Sequence, residues 1–176
     1  MVKREQFLQD WVREILNATT PGAGDGIGMV QISGDASFRR YFRVFPHGLT
    51  LVAVDAPPER EDSRRFVEVA RLLADQGLSV PLIHATDLAR GFMLLSDLGD
   101  DLYLDAICHE SRTDGLYRDA FSGLIRLQSI KPTPGTIPHY DRELLLAEMR
   151  LFPDWFLGRE LETVLDEADN RMLDSA

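Results

Sequence analysis

Three arginines, Arg39, Arg40 and Arg43, follow a Gly34-Asp35 turn within ISGDASFRRYFRV, residues 32–44. Glycine has no Cβ, so backbone amides beside Gly34 can approach an anion closely. Each guanidinium offers charge-assisted hydrogen bonds of about 1.5–3 kcal/mol to a phosphate oxygen. The chemistry is that of a phosphate cradle, with nucleotide phosphate as its natural guest and Gly34, Asp35, Ser37, Arg39 and Arg40 as candidate contacts. The same residues also read as a plain hairpin carrying solvated arginines, and the stretch alone leaves both open.

The flanking runs decide what positions the arginines. Gly28–Ile32 and Tyr41–Phe45 have the β-branched and aromatic content of paired strands, and Leu49–Asp55 supplies a third. Ala56-Pro57-Pro58 ends it, because proline cannot donate to the ladder. A helix follows, started by Asp62 or Ser63, stopped by Gly77, with Phe66, Val69, Ala70 and Leu73 as its buried stripe. Val80–Ala85 and Gly91–Leu95 read as a second hairpin turned by Asp87 to Gly91, and Ser96–Asp100 breaks the pattern. The result is α+β: five antiparallel strands and one helix. Ahead of them, Phe7, Leu8, Trp11, Val12, Ile15 and Leu16 form an amphipathic stripe, joined to the first strand by a flexible Pro21–Gly28 segment.

Beyond Asp100 the pattern is helical. Tyr103–Ile107 is a short helix, and Asp114 caps a longer one with Leu116, Tyr117, Ala120, Phe121, Leu124 and Leu127 on one face. Lys131–Tyr140, rich in proline, is a loop. Asp141 caps a helix carrying Leu144, Leu145, Met149 and Phe152, which Pro153 should kink. Leu161, Val164, Leu165, Ala168 and Met172 keep a helical period up to the last residues.

Composition narrows the function classes. With 176 residues and 44% hydrophobic content, the chain can bury about two-thirds of its unfolded surface. Its apolar runs fall far short of the roughly 20 residues that span a bilayer, and no signal-peptide core opens the chain, so a cytoplasmic protein without membrane contact is expected. The single cysteine, Cys108, excludes an intrachain disulfide and any cysteine-rich metal site, and is expected to be structural. A formal net charge of -10 argues against nucleic-acid binding, so attraction for phosphate must be local. Lys3 and Lys131 are the chain's lysines, which leaves any clamp in the first half to arginine.

The order of three strands, a helix, two strands and a Gly/Asp hinge resembles the amino-terminal lobe of the protein-kinase-like fold, in its aminoglycoside phosphotransferase branch. GDASFRRYFRV, VDAPPERED, FVEVARLLADQGLSVP, GFMLLSDLGD, LYLDAI and PHYDRELLLAEMRLFPDWFL together resemble the bacterial anomeric kinases of N-acetylmuramate and N-acetylglucosamine over roughly residues 5–165. The resemblance implies a cytoplasmic, ATP- and Mg2+-dependent phosphotransferase of cell-wall recycling that acts on a sugar hydroxyl. It divides the chain into a nucleotide-binding lobe, 1–98, and the start of a helical substrate lobe, 99–176. Kinases of other hydroxyl acceptors, such as an aminoglycoside, choline or homoserine, and a non-catalytic nucleotide-binding module of the same fold are the alternatives.

In most of the wider fold a third-strand lysine holds the α- and β-phosphates and is aligned by a glutamate of the next helix. LTLVAVD has no lysine, which leaves Glu68 to pair with a hairpin arginine or with Arg64 or Arg71, and assigns the electrostatic role to Arg39 or Arg40. At the hinge, Ser96, Asp97 and Leu98 are expected to meet the adenine edge, with Ile32, Val52, Leu94 and Leu95 as apolar walls or as ordinary core. Tyr140, Asp141, Glu148, Asp154 and Trp155 are candidate neighbours of the acceptor sugar, against Asp141 as a plain cap and Trp155 as core.

The fold's catalytic pattern, H-x-D-x-x-x-x-N, is absent. His139-Tyr140-Asp141 supplies its first half, but Leu146 stands where asparagine is required. No catalytic or metal-binding residue is therefore assigned, the Mg2+ ligands are expected beyond residue 176, and the segment alone is expected to be inactive. An incomplete second lobe would expose an apolar face on Leu116–Phe156 and favour self-association.

Overall fold

A computed structural model describes residues 2–32, 37–108, 110–133, 135 and 137–175. Its elements are α1 (Val2–Thr19), β1 (Met29–Ile32), β2 (Arg40–Val44), β3 (Leu51–Asp55), α2 (Ser63–Asp75), β4 (Ile83–Asp87) and β5 (Phe92–Ser96), then α3 (Tyr103–Ile107), α4 (Glu110–Ser129), α5 (Arg142–Leu151), a π-helical segment (Phe152–Glu160) and α6 (Glu167–Ser175). Two compact units comprise Met1–Ile130 and Lys131–Ala176.

In the first unit the five strands form one antiparallel sheet in the order β1-β2-β3-β5-β4. Side chains alternate across a pleated strand, so the sheet has two apolar faces to cover. Phe42, Val44, Ala53, Phe92 and Leu94 pack against Leu8, Trp11, Val12 and Leu16 of α1. Val54, Met93 and Leu95, with Tyr41 and Val52 beside them, pack against Val67 and Phe66 of α2. Each fully buried side chain of this size contributes about 1.5–3 kcal/mol.

Ionic contacts pin α1 to the sheet, among them Arg40 Nη1 to Glu5 Oε2 at 4.0 Å. Asp55 is completely buried; its Oδ1 accepts from Arg4 Nε at 3.0 Å and Nη2 at 2.6 Å, and its Oδ2 accepts from Arg40 Nη2. Arg4 Nη2 also donates to the Arg90 carbonyl at 2.8 Å, tying the β4–β5 turn to the same point.

Several elements depart from the sequence expectation. Phe7 is solvent-exposed, because α1 rests on the sheet through Leu8, Trp11, Val12 and Leu16. The Pro21–Gly28 segment is folded in turns with Ala23 and Ile27 buried; Asn17 Oδ1 accepts from Gly24 N at 2.7 Å, and Gln9 Nε2 donates to Ile27 O at 2.8 Å. On α2, capped as expected by Asp62, Val67 and Ala70 are buried while Val69 is exposed. β4 begins at Ile83, because Pro81 has no N–H to donate. Leu82 instead exchanges bonds with Ser96, its carbonyl accepting from Ser96 N and its N–H donating to Ser96 Oγ, both at 2.9 Å.

The helical part departs further. Nothing breaks the chain between residues 110 and 114, so α4 starts at Glu110 and Asp114 lies inside it rather than capping it. Cys108 is exposed, its thiol donating to the Leu104 carbonyl. Within the second unit Asp141 caps α5, Oδ1 accepting from Leu144 N at 2.9 Å. At Pro153 the backbone passes into π-helical register instead of a simple kink. Residues 161–166 are not helical: Glu162 has φ 51°, and Asp166 Oδ1 accepts from Ala168 and Asp169 N–H to start α6 afresh. Tyr117, Phe121 and Ile125 in the first unit, and Leu151, Phe152 and Trp155 in the second, are all more than half exposed. Each unit thus carries exposed apolar side chains.

Candidate functional site

On the α2 face of the sheet, where β1, β2, β3 and β5 run out toward residues 96–100, lies a crease of about 500 Å3. Ile32, Tyr41, Val52 and Leu95, all on this face of the sheet, line it together with Pro81, Leu98 and Leu102. Three of the expected wall residues therefore meet. Leu94 does not join them, since a strand sends neighbouring side chains to opposite faces and Leu94 packs under α1. Tyr41 and Pro81 carried no signal in the sequence beyond their place next to candidates.

The floor of the crease at its open end is ionic. Arg43 Nε and Nη2 donate to the two oxygens of Asp97 at 2.6 and 3.2 Å, and its Nη1 and Nη2 donate to those of Asp100, each at 2.8 Å. Asp97 also accepts from Gly99 N at 2.9 Å. The Arg43 hydrogen bonds hold both carboxyls below the ordinary carboxylate range, and the carboxylates, Asp100 first, raise the guanidinium further. Arg43 and Asp97 thus shape residues 96–100 rather than offering free charge. The acid pair three residues apart in SDLGDD is the sequence signal that foreshadows this clamp.

The backbone beside the clamp differs from its neighbours. Ser96 is occupied with Leu82, whereas the Leu98 N–H donates to no described residue. An apolar slot bordered by an unpaired backbone donor suits a flat heteroaromatic ring with an acceptor on its edge.

The phosphotransferase enzyme family matches residues 28–175. The chain belongs to that family. Among curated relatives it is 44% identical over 169 residues to the N-acetylmuramate/N-acetylglucosamine kinase of Pseudomonas putida and 48% identical over 167 residues to the enzyme of that name from Pseudomonas aeruginosa. These matches cover 94% and 93% of this chain and 49% of each relative. A third, from Neisseria meningitidis, is 37% identical over 133 residues, covering 73% of this chain and 39% of the relative. The chain therefore spans about half the length of the curated relatives it matches.

Gly34 and Asp35 lie outside the described residues. Ser37 Oγ accepts from Arg39 N at 3.1 Å. Arg40 is on the α1 face, its guanidinium bound to Asp55 and over the Phe42 ring, away from the crease. Arg39 is on the α2 face beside Glu61 and Phe66. Glu68 is exposed and has no ion pair among the described residues, because α2 turns Phe66, Val67 and Ala70 toward the sheet. Arg64 pairs instead with Asp62.

Tyr140, Asp141, Glu148, Asp154 and Trp155 belong to the second unit and are exposed. Asp141 serves as the cap of α5, and Trp155 is covered on one face by Arg159, whose guanidinium sits 4.1 Å from the ring centroid. No three His, Cys, Asp or Glu side chains converge as a magnesium site would need among the described residues. No helix among them is long and apolar enough to cross a membrane.

Proposed function

We propose that this chain is part of a cytoplasmic, ATP-dependent kinase that phosphorylates the anomeric hydroxyl of N-acetylmuramate and N-acetylglucosamine in cell-wall recycling. The observation that carries the reading is the crease: Ile32, Val52 and Leu95, on one face of the sheet, floor a slot bordered by Leu98, whose N–H donates to no described residue, on a chain that matches relatives bearing that kinase name. In this reading adenine enters the slot, its edge accepts from Leu98 N–H, and the phosphates run toward the β1–β2 connection. The sequence-level candidates near the sugar, Tyr140, Asp141 and Trp155, remain the proposed acceptor contacts, with Trp155 supplying a stacking face.

Among the described residues no three His, Cys, Asp or Glu side chains meet as a magnesium site would need, and the 176 residues lack the H-x-D-x-x-x-x-N pattern, so the part of the reaction assigned to this chain is nucleotide binding. Nucleotide binding is testable on the chain itself. ATP at 100 times its dissociation constant adds about 2.7 kcal/mol, which raises Tm by roughly 5–10 °C for a protein of this size. An unchanged Tm at saturating ATP refutes the nucleotide site. The acceptor is tested on a full-length protein containing this segment: C1 phosphorylation consumes the reducing end, so ATP-dependent loss of reducing sugar from N-acetylmuramate is expected, and its retention rejects the acceptor.

A further inference from the structure

The inner face of β3 carries no charge to hold a phosphate. Val52 and Val54 face α2, and Val54 is completely buried against Val67 and Met93. A cation for the phosphates must therefore come from outside β3. Arg40 is bound to Asp55 on the other face, and Arg43 spends its donors on Asp97 and Asp100.

Arg39 is placed differently. Its Nε lies 3.1 Å from Glu61 Oε2 at an angle that is not that of a hydrogen bond, and its Nη1 and Nη2 donate to no described residue. The guanidinium carbon sits 5.6 Å from the Phe66 ring centroid, so the aromatic ring supports one side of the group. Glu61 is itself held, Oε1 accepting from Phe38 N at 3.0 Å, and the two charged side chains keep 22% and 13% exposure. Arg39 borders a groove of about 450 Å3 shared with Phe66, Val69 and Pro81, and Pro81 also borders the crease. Pro81 is thus common to the groove and to the slot proposed for adenine.

A guanidinium fixed along one edge by a carboxylate and on one side by an aromatic ring, with its outer N–H groups open, matches a bidentate oxyanion. We propose that Arg39 binds a nonbridging oxygen of the nucleotide's phosphate chain, with Glu61 as its positioning residue. The pair stands in for the absent third-strand lysine, with Glu61 rather than Glu68 as the aligning carboxylate. This rests on the nucleotide reading of the crease. Glu61 acts through Arg39: it sets the guanidinium's orientation and, through Phe38 N, the entry of the chain into β2.

The test is calorimetric titration of the 176-residue protein with adenosine and, separately, with ATP. Arg39→Ala is expected to weaken ATP at least about tenfold, the lower end for one charge-assisted hydrogen bond, with adenosine affinity unchanged. Arg39→Lys, which keeps the charge without the fork, should recover part of that loss. Glu61→Ala discriminates most sharply. Deleting a negative charge beside an anion site should tighten ATP if the carboxylate merely opposes it, whereas a positioning role predicts ATP weakened severalfold and adenosine unaffected. Tighter ATP binding by Glu61→Ala, or an unaltered ATP-to-adenosine affinity ratio in Arg39→Ala, overturns the inference while leaving the crease intact. A parent protein that binds neither ligand overturns the crease and the inference together.

Discussion

Asp55→Asn is the most informative single perturbation of the fold, because it removes one charge and almost no volume from a completely buried site. In the native protein that carboxylate accepts from Arg4 through two nitrogens and from Arg40 through one. Removing one partner from a buried ion pair costs about 3–5 kcal/mol, mostly because the other charge is stranded. Arg4 and Arg40 retain 35% and 20% side-chain exposure, so water takes up part of the stranded charge. The expected loss is then about 2–4 kcal/mol, equivalent to a Tm lowered by roughly 5–15 °C. Trp11 is buried between α1 and the sheet, and Trp155 is exposed in the second unit. Urea unfolding followed by tryptophan fluorescence in a Trp155→Phe background therefore reports the loss where it occurs. In a double-mutant cycle with Arg40→Met, the two losses should fall short of additivity by about 1–3 kcal/mol. Nucleotide affinity should be unchanged, since Asp55 points to the face away from the crease. A stability change below about 0.5 kcal/mol would show that the pairing does not hold α1 to the sheet.

Other expectations address the crease, the ionic clamp and the backbone. Val52→Trp should fill the slot and lower ATP affinity at least tenfold while the circular dichroism spectrum stays that of the parent; undiminished binding would place the nucleotide elsewhere. Asp97 and Asp100 have carboxyl pKa values lowered by Arg43, so their stabilisation is present above the ordinary value of about 4 and is lost as pH falls through their folded values. Asp97→Asn should accordingly flatten the acid limb of the stability–pH curve below about pH 4, and an acid limb identical to the parent's would contradict the clamp. Gly91 has φ 73°, and an added Cβ would lie 1.9 Å from the Ala56 carbonyl oxygen, whereas Gly77 has the same φ with open space around it. Gly91→Ala should therefore cost about 3 kcal/mol or more and Gly77→Ala about 1 kcal/mol, and equal losses in urea unfolding would remove the steric explanation.

Much of the sheet unit was legible before any coordinates. β-branched and aromatic runs between glycine and proline punctuation marked all five strands, and Asp62 and Asp141 marked helix starts through the hydrogen bonds their side chains supply. The errors share a cause. Phe7, Val69 and Asp114 each satisfy a local rule that the surroundings overrule: the first two lie at the edge of a stripe that its partner surface does not reach, and the third sits in a helix with no local reason to start later. The break at residues 161–166 was hidden because helical spacing of leucine and valine persists where the end of the π-helical segment and the Asp166 cap divert the backbone.

Local composition by itself determined that this chain forms an antiparallel sheet followed by helices, and that three arginines cluster behind one turn. Only the tertiary structure decided what each arginine does. Arg39 and Arg43 take the α2 face and Arg40 the α1 face, by the alternation of a pleated strand, but composition does not say which face α1 will cover or where Asp55, Glu61 and Asp97 will come to rest. Those carboxylates lie 15, 22 and 54 residues along the chain from the arginines they bind, and a charge's partner over such separations is chosen by the packing of the two apolar faces, not by its sequence neighbours.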